Sequence, residues 1–151
     1  MQKNRLCAAL GLALLMCAAL PPAAASGTEP PRASSDWEDK AKAALEELRQ
    51  AYVREDRNGF FNDVSDRSSF NYLDFKNRTG DHWSHSSQTD LVITVDHALK
   101  SGDKAVLKTH WQKRSVTDAT GQSENSEGQA DFVFELAPSS KLIDVQGDNP
   151  F

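Results

Sequence analysis

Hydrophobic positions along the chain fall into two regimes. From Trp37 the residues Trp37, Ala41, Ala44, Leu45, Leu48, Ala51 and Tyr52 recur every three or four places. That spacing makes one stripe on an α-helix, with Glu, Lys and Arg on the other face, and it predicts a long amphipathic helix from about 36 to 55. Ser35 and Glu38 ahead of it have the spacing of a capping box, in which a hydroxyl and a carboxylate each satisfy an orphan backbone N–H. After a break at "REDRNG", Phe60, Phe61 and Val64 can share a face of a short second helix. In "FNYLDFKNR", Phe70 and Leu73 are three apart, as are Tyr72 and Phe75. A short third helix is preferred there because period-two alternation is imperfect.

From Thr89 the period is two. "TDLVITVDHAL" places Leu91, Ile93, Val95, His97 and Leu99 on one face, and "SGD" supplies a turn. "AVLKTHWQKR" then sets Ala105, Leu107, Thr109 and Trp111 against Lys108, His110, Gln112 and Arg114. A polar loop is expected over 117–128. Beyond it Ala130, Phe132, Phe134 and Leu136 alternate with Asp131, Val133 and Glu135, and "LIDVQG" makes a last strand before "DNPF". Helices followed by antiparallel hairpins define an α+β domain with its helices on one face of a single sheet. Four long strands must twist, and against a long helix they curl into a cone.

The amino-terminal segment adds a compartment. Lys3 and Arg5 precede an apolar run from Leu6 to Leu20, then Pro21-Pro22 and the small residues Ala23, Ala24 and Ala25 before Ser26. This is the pattern of a cleavable secretory signal peptide, and the run is shorter than the roughly 18 residues of a membrane span. The expectation is a secreted or periplasmic mature chain with no transmembrane segment. Cys17 raises a lipoprotein reading, but Met16 before it is unlike the small residue usual there. Residues 1–25 are thus read as signal, 26–34 as a flexible leader rich in small residues and proline, and 35–151 as a single domain. Both cysteines, Cys7 and Cys17, lie in the signal, so the mature chain has no disulfide or thiolate chemistry. Loss of Lys3 and Arg5 takes the net charge from −5 to −7, which excludes nucleic acid or an anionic membrane as an expected partner.

The long first helix, "REDRNGFFNDVS", the aromatic third segment and the meander "SGDKAVLKTHW … GQADFVFEL … KLIDVQGDNPF" together resemble the nuclear transport factor 2-like superfamily. The resemblance spans about residues 36–151. It implies a cone-shaped fold, and the superfamily includes ketosteroid isomerase-like enzymes, polyketide cyclases, dehydratases and secreted members without known activity. Isomerase-like members place an Asp base, a Tyr and a protonated Asp in an apolar pocket. That motif is not placed here residue by residue, so the resemblance carries the fold and not the catalysis.

Several side chains are candidates for function. Tyr52, Phe60, Phe61, Phe70, Phe75 and Trp111 are candidate walls of a ligand pocket, although aromatics at such spacings commonly form core. His97, on an apolar face, and Tyr72 are the candidate acid–base and oxyanion groups. "DHWSHSS" holds His82 and His85 three apart without a complete ligand set. It reads as a polar connector anchored by Trp83, and no metal or cofactor is expected. Asn77-Arg78-Thr79 fits the N-glycosylation acceptor pattern. Val106, Lys108, His110, Arg114, Asp131, Val133 and Glu135 make up an outer sheet face on which acids can meet bases, and in related folds such a face joins two subunits. Three readings follow: a non-catalytic domain binding a small apolar ligand or a protein partner, with a homodimer expected; an isomerase, cyclase or dehydratase-type enzyme; and an assembly module using the outer face.

Overall fold

In the computed structural model, which describes residues 35–151, the predicted apolar stripe becomes helix α1 (Asp36–Val53) and buries Ala41, Ala44, Leu45, Leu48 and Tyr52. The signal and leader expected over 1–34 lie outside the described residues. The capping box does not form. Ser35 stands at the N-cap without a side-chain bond, its carbonyl accepts the Glu38 and Asp39 N–H groups at 2.8 and 3.1 Å, and Glu38 instead pairs with Lys42 at 2.7 Å. Arg49 fastens α1 to the sheet by donating to the Leu91 carbonyl at 3.0 Å. The same guanidinium pairs with Glu46 at 2.6 Å and holds that carboxyl down at about 2.

Helix α2 (Arg57–Asn62) starts where Asp56 accepts the Gly59 N–H at 3.0 Å. A Cβ on Gly59 would sit 2.5 Å from that carboxylate, so the cap and the glycine belong together. Phe60 is fully buried. Val64 leaves the helix and forms a parallel bridge with Leu142. Helix α3 (Tyr72–His85) is longer than its sequence suggested and is capped by Asn71, which accepts the Asp74 N–H at 3.2 Å. Its inner face is Phe75, Thr79 and Trp83, while Leu73 is 63% exposed. The stretch expected to be a polar connector is, as far as His85, the last turn of this helix, and its final two serines open the first strand.

Strands β1 (Ser86–Ser101), β2 (Lys104–Thr117), β3 (Ser123–Glu135) and β4 (Lys141–Gly147) form one antiparallel sheet in the order β1-β2-β3-β4. The polar loop between β2 and β3 is shorter than expected, because 123–128 pairs with 111–116. Ladder hydrogen bonds need no apolar side chains, so a polar strand can run past the core. Bulges shape the sheet. In β1, Val95 faces Thr109 and the next pair is His97 with Lys108, leaving Asp96 as the extra residue. The alternation resets there: Ala98 packs against the core, whereas His97 and Leu99 are exposed. Further irregularities between Ser86 and Gln88 and between Val133 and Phe134 bend the strands, since each bulge raises local twist. The result is a curved sheet whose inner face, including Leu91, Leu107, Trp111, Phe132, Phe134 and Leu142, shares one core with the helices. None of the described helices is long and apolar enough to cross a membrane.

The bulge makes a direct prediction for two leucines on one strand. Leu91→Ala, at a fully buried position, should cost about 2–5 kcal/mol in urea unfolding. Leu99→Ala, 52% exposed, should change stability by no more than about 0.5 kcal/mol. Equal losses at both sites would contradict the reset of alternation at Asp96.

Candidate functional site inside the cone

The two acid–base candidates of the sequence do not meet in the interior. His97 is exposed beside Lys108 on the outer face, because the bulge that admits Asp96 reverses its side. Tyr72 is half-buried at the start of α3, where its ring meets Phe61 edge-on at 6.3 Å. Of the pocket-wall candidates, Tyr52, Phe60, Phe75 and Trp111 are buried together. Phe61 packs edge-on against Phe60 at 5.2 Å, and Phe70 lies 4.9 Å from Phe75. Phe70, Phe75 and Trp111 also border an open cleft of about 540 Å³ with Val145 and Asp148.

Polar chemistry in the interior comes from residues that the sequence did not mark as acid–base groups. His82, in the last turn of α3, lies parallel to the Tyr52 ring at 5.7 Å and 8°, with Nε2 3.2 Å from the Thr89 hydroxyl. Burial pushes the imidazole below its ordinary value, the positive charge of Lys113 pushes it further, and Glu124 opposes both. His85 turns away, its Nδ1 2.7 Å from the Asp81 carbonyl, so the two histidines do not converge. Among the described residues no cluster of three or more His, Cys, Asp or Glu could hold a metal ion.

Lys113 faces inward from β2, opposite Leu91. Its ammonium lies 5.8 Å from the centre of the Tyr52 ring and donates to the Pro150 carbonyl at 2.7 Å, and burial lowers its pKa. The hydroxyls of Tyr52 and Thr79 are buried without a hydrogen-bond partner. Burial also raises the Tyr52 pKa, which keeps the phenol neutral. A parity count along β2 would have found Lys113, two places beyond Trp111. Helical spacing from Phe75 through Thr79 would have found His82. An imidazole biased to its neutral form, an amine and the unpartnered Tyr52 hydroxyl around an aromatic wall can hold the polar group of a small molecule with an apolar body.

The segment after β4 enters the same space. Pro150 is fully buried, and the Phe151 ring packs 5.1 Å from Tyr52, 5.1 Å from Phe60 and 5.7 Å from Phe132.

The residues expected on the outer face do share it. Lys108 pairs with Asp131, His110 with Asp96 at 2.8 Å, and Arg114 donates to the Ser123 hydroxyl at 3.0 Å. Val106 stands directly opposite Val133, which is itself buried within the chain, and Glu135 faces Lys104.

No protein-family model and no curated protein matches the sequence, whereas many solved structures match the fold. A nuclear transport factor 2-like protein from Salmonella enterica serovar Typhimurium superposes with a TM-score of 0.63 at 14% identity, over 76% of this chain and 92% of that one. A ketosteroid isomerase-like protein from Erwinia carotovora atroseptica gives 0.64 at 13% identity, over 78% and 100%. A hexachlorocyclohexane dehydrochlorinase gives 0.57 at 14% identity, over 74% and 86%. The chain has the nuclear transport factor 2-like fold. At these identities the likeness is one of architecture.

The depressed pKa of His82 carries a sign. A histidine held below its unfolded value near 6.5 favours the fold in its neutral form. That contribution is fully present above pH 6.5 and is lost as pH falls through the folded value. Chemical denaturation at pH 7.5 and pH 5 should therefore show a larger acid loss in the wild type than in His82→Gln. An equal loss in both would remove the buried neutral imidazole from the description.

Proposed function

We propose that this protein is a secreted or periplasmic, non-catalytic binding module that takes a small apolar ligand into its cone and dimerises through the outer sheet face. One observation carries the reading: the aromatic interior already holds a ring, that of Phe151, among Tyr52, Phe60 and Phe132. The exposed position of His97 supports binding over turnover by removing the acid–base group expected inside. Val106, half-buried among charges on the outer face, supports a twofold contact.

Native mass spectrometry of the protein from its own extracytoplasmic compartment tests both parts. A retained small molecule is expected, with affinity weakened about tenfold by Tyr52→Phe, the effect of removing one buried hydrogen bond. Val106→Glu should convert a dimer to monomer without unfolding it. A ligand-free monomer would sink the proposal, and a ligand-free dimer sensitive to Val106→Glu would leave the assembly-module reading.

One observation favours an enzyme instead. His82 is a half-buried imidazole beside Tyr52 and near the charge of Lys113, the surroundings in which a neutral base operates. Turnover of an isomerase or dehydratase-type substrate that is lost in His82→Gln and kept in His97→Gln would replace the binding reading with that one.

A further inference from the structure

We infer that Asp148–Phe151 is a displaceable plug, standing in the cone for a ligand that carries an aromatic ring beside a carbonyl or carboxylate acceptor. The inference rests on the binding reading and specifies its ligand.

The path of the segment is built into the sheet. Gly147 turns the chain at φ 94°, where a Cβ would lie 2.7 Å from the Gln129 carbonyl. Gly128 makes room on the neighbouring strand, since a Cβ there would lie 2.7 Å from both Asp148 and the Trp111 ring. Asp148 then closes a small clamp: its N–H donates to the Gln129 carbonyl at 2.8 Å, and its carboxylate accepts the Gln129 N–H at 3.3 Å.

Beyond this clamp, two side chains of β2 hold the segment. The Trp111 indole N–H donates to the Asp148 carbonyl at 2.7 Å, and the Lys113 ammonium donates to the Pro150 carbonyl at 2.7 Å. Three rings then receive Phe151. A ring with an acceptor oxygen one short linker away can use the same donors and the same walls. A carboxylate gains more from Lys113 than a carbonyl does, because a hydrogen bond between charged groups is the stronger one.

The occupied state is incomplete. With the plug in place, the Tyr52 and Thr79 hydroxyls stay buried and unpartnered, a condition that costs stability. Tyr52 is also one of the rings against which Phe151 packs. An incoming ligand with a further polar group can satisfy the Tyr52 hydroxyl, which the plug leaves unpaired, and this supplies a reason for exchange.

The probe is N-acetyl-phenylalanine amide, which reproduces a ring next to a carbonyl, titrated calorimetrically into the full chain and into Phe151→Ala. The variant should bind at least tenfold more tightly than the wild type, and adding Lys113→Met should reverse most of that gain. Equal affinity in wild type and Phe151→Ala would overturn the plug and leave the cone as a binding site. No binding by a Phe151→Ala protein that still unfolds cooperatively would overturn the binding reading itself. Hydrogen exchange puts the same question to the unmutated protein, independently of how the variant folds. Saturating probe should speed exchange at the Asp148 and Phe151 amides, and unchanged or slower exchange there would overturn displacement.

Discussion

Tyr52 joins parts of the molecule that the chain keeps far apart. Its carbonyl, at the end of α1, accepts the Trp83 indole N–H at 3.0 Å and so ties α3 to α1. Its ring meets Phe60 of α2, His82 and Trp83 of α3, and Phe151 after β4. Aromatic contacts of this kind stabilise mainly through buried area, and here each partner arrives from a different element. Without this ring the three helices would keep their own hydrogen bonds but lose the surface that orders them against one another.

The same side chain organises the electrostatics. His82 lies along the Tyr52 ring and Lys113 above its centre, so a histidine and a lysine from opposite layers share one apolar neighbour. Burial acts on both in the same direction, against their charged forms, and the lysine's charge adds to the effect on the histidine. Two basic side chains thus meet one aromatic face where burial works against charge, and the Lys113 ammonium is answered by the Pro150 carbonyl, an arrangement that suits apolar matter with a single polar end.

Helix α1 and the four strands were legible from the period of their apolar residues, because periodicity reports which side of an element is buried. It reports less where the backbone departs from regularity. The inward row of β1 reads correctly through Leu91, Ile93 and Val95, and then Asp96 bulges, so that His97 and Leu99 cross to the outside. Nothing in the alternation announces that crossing. Helix α3 extends through Thr79, Gly80 and His82, residues of weak helical preference, and is held by Asn71 at its start and by the burial of Trp83 near its end. The pocket aromatics were recognisable as core, but Phe151 was not. Its place depends on Gly128 and Gly147 giving way to the backbone, a tertiary condition absent from local pattern. Lys113 is legible in the sequence, for the row that contains Trp111 continues to it.

The two margins of the sheet are finished differently. Along β4, residues 63–69 supply backbone partners: Leu142 donates to Asp63 at 2.9 Å, and Ser65 and Ser69 donate to Leu142 and Ile143 at 2.8 and 2.9 Å. The other margin, β1, runs for 16 residues and exposes Val92 and Leu99, a length and character that invite another chain to add a strand. Addition requires a straight, in-phase row of amides, and the bulges at Ser86/Gln88 and Val95/His97 break that row at two places. The irregularity that turns His97 outward therefore also guards the protein against edge-to-edge aggregation, and straightening it by deleting Asp96 would lengthen the sticky margin while restoring the simple pattern of the sequence.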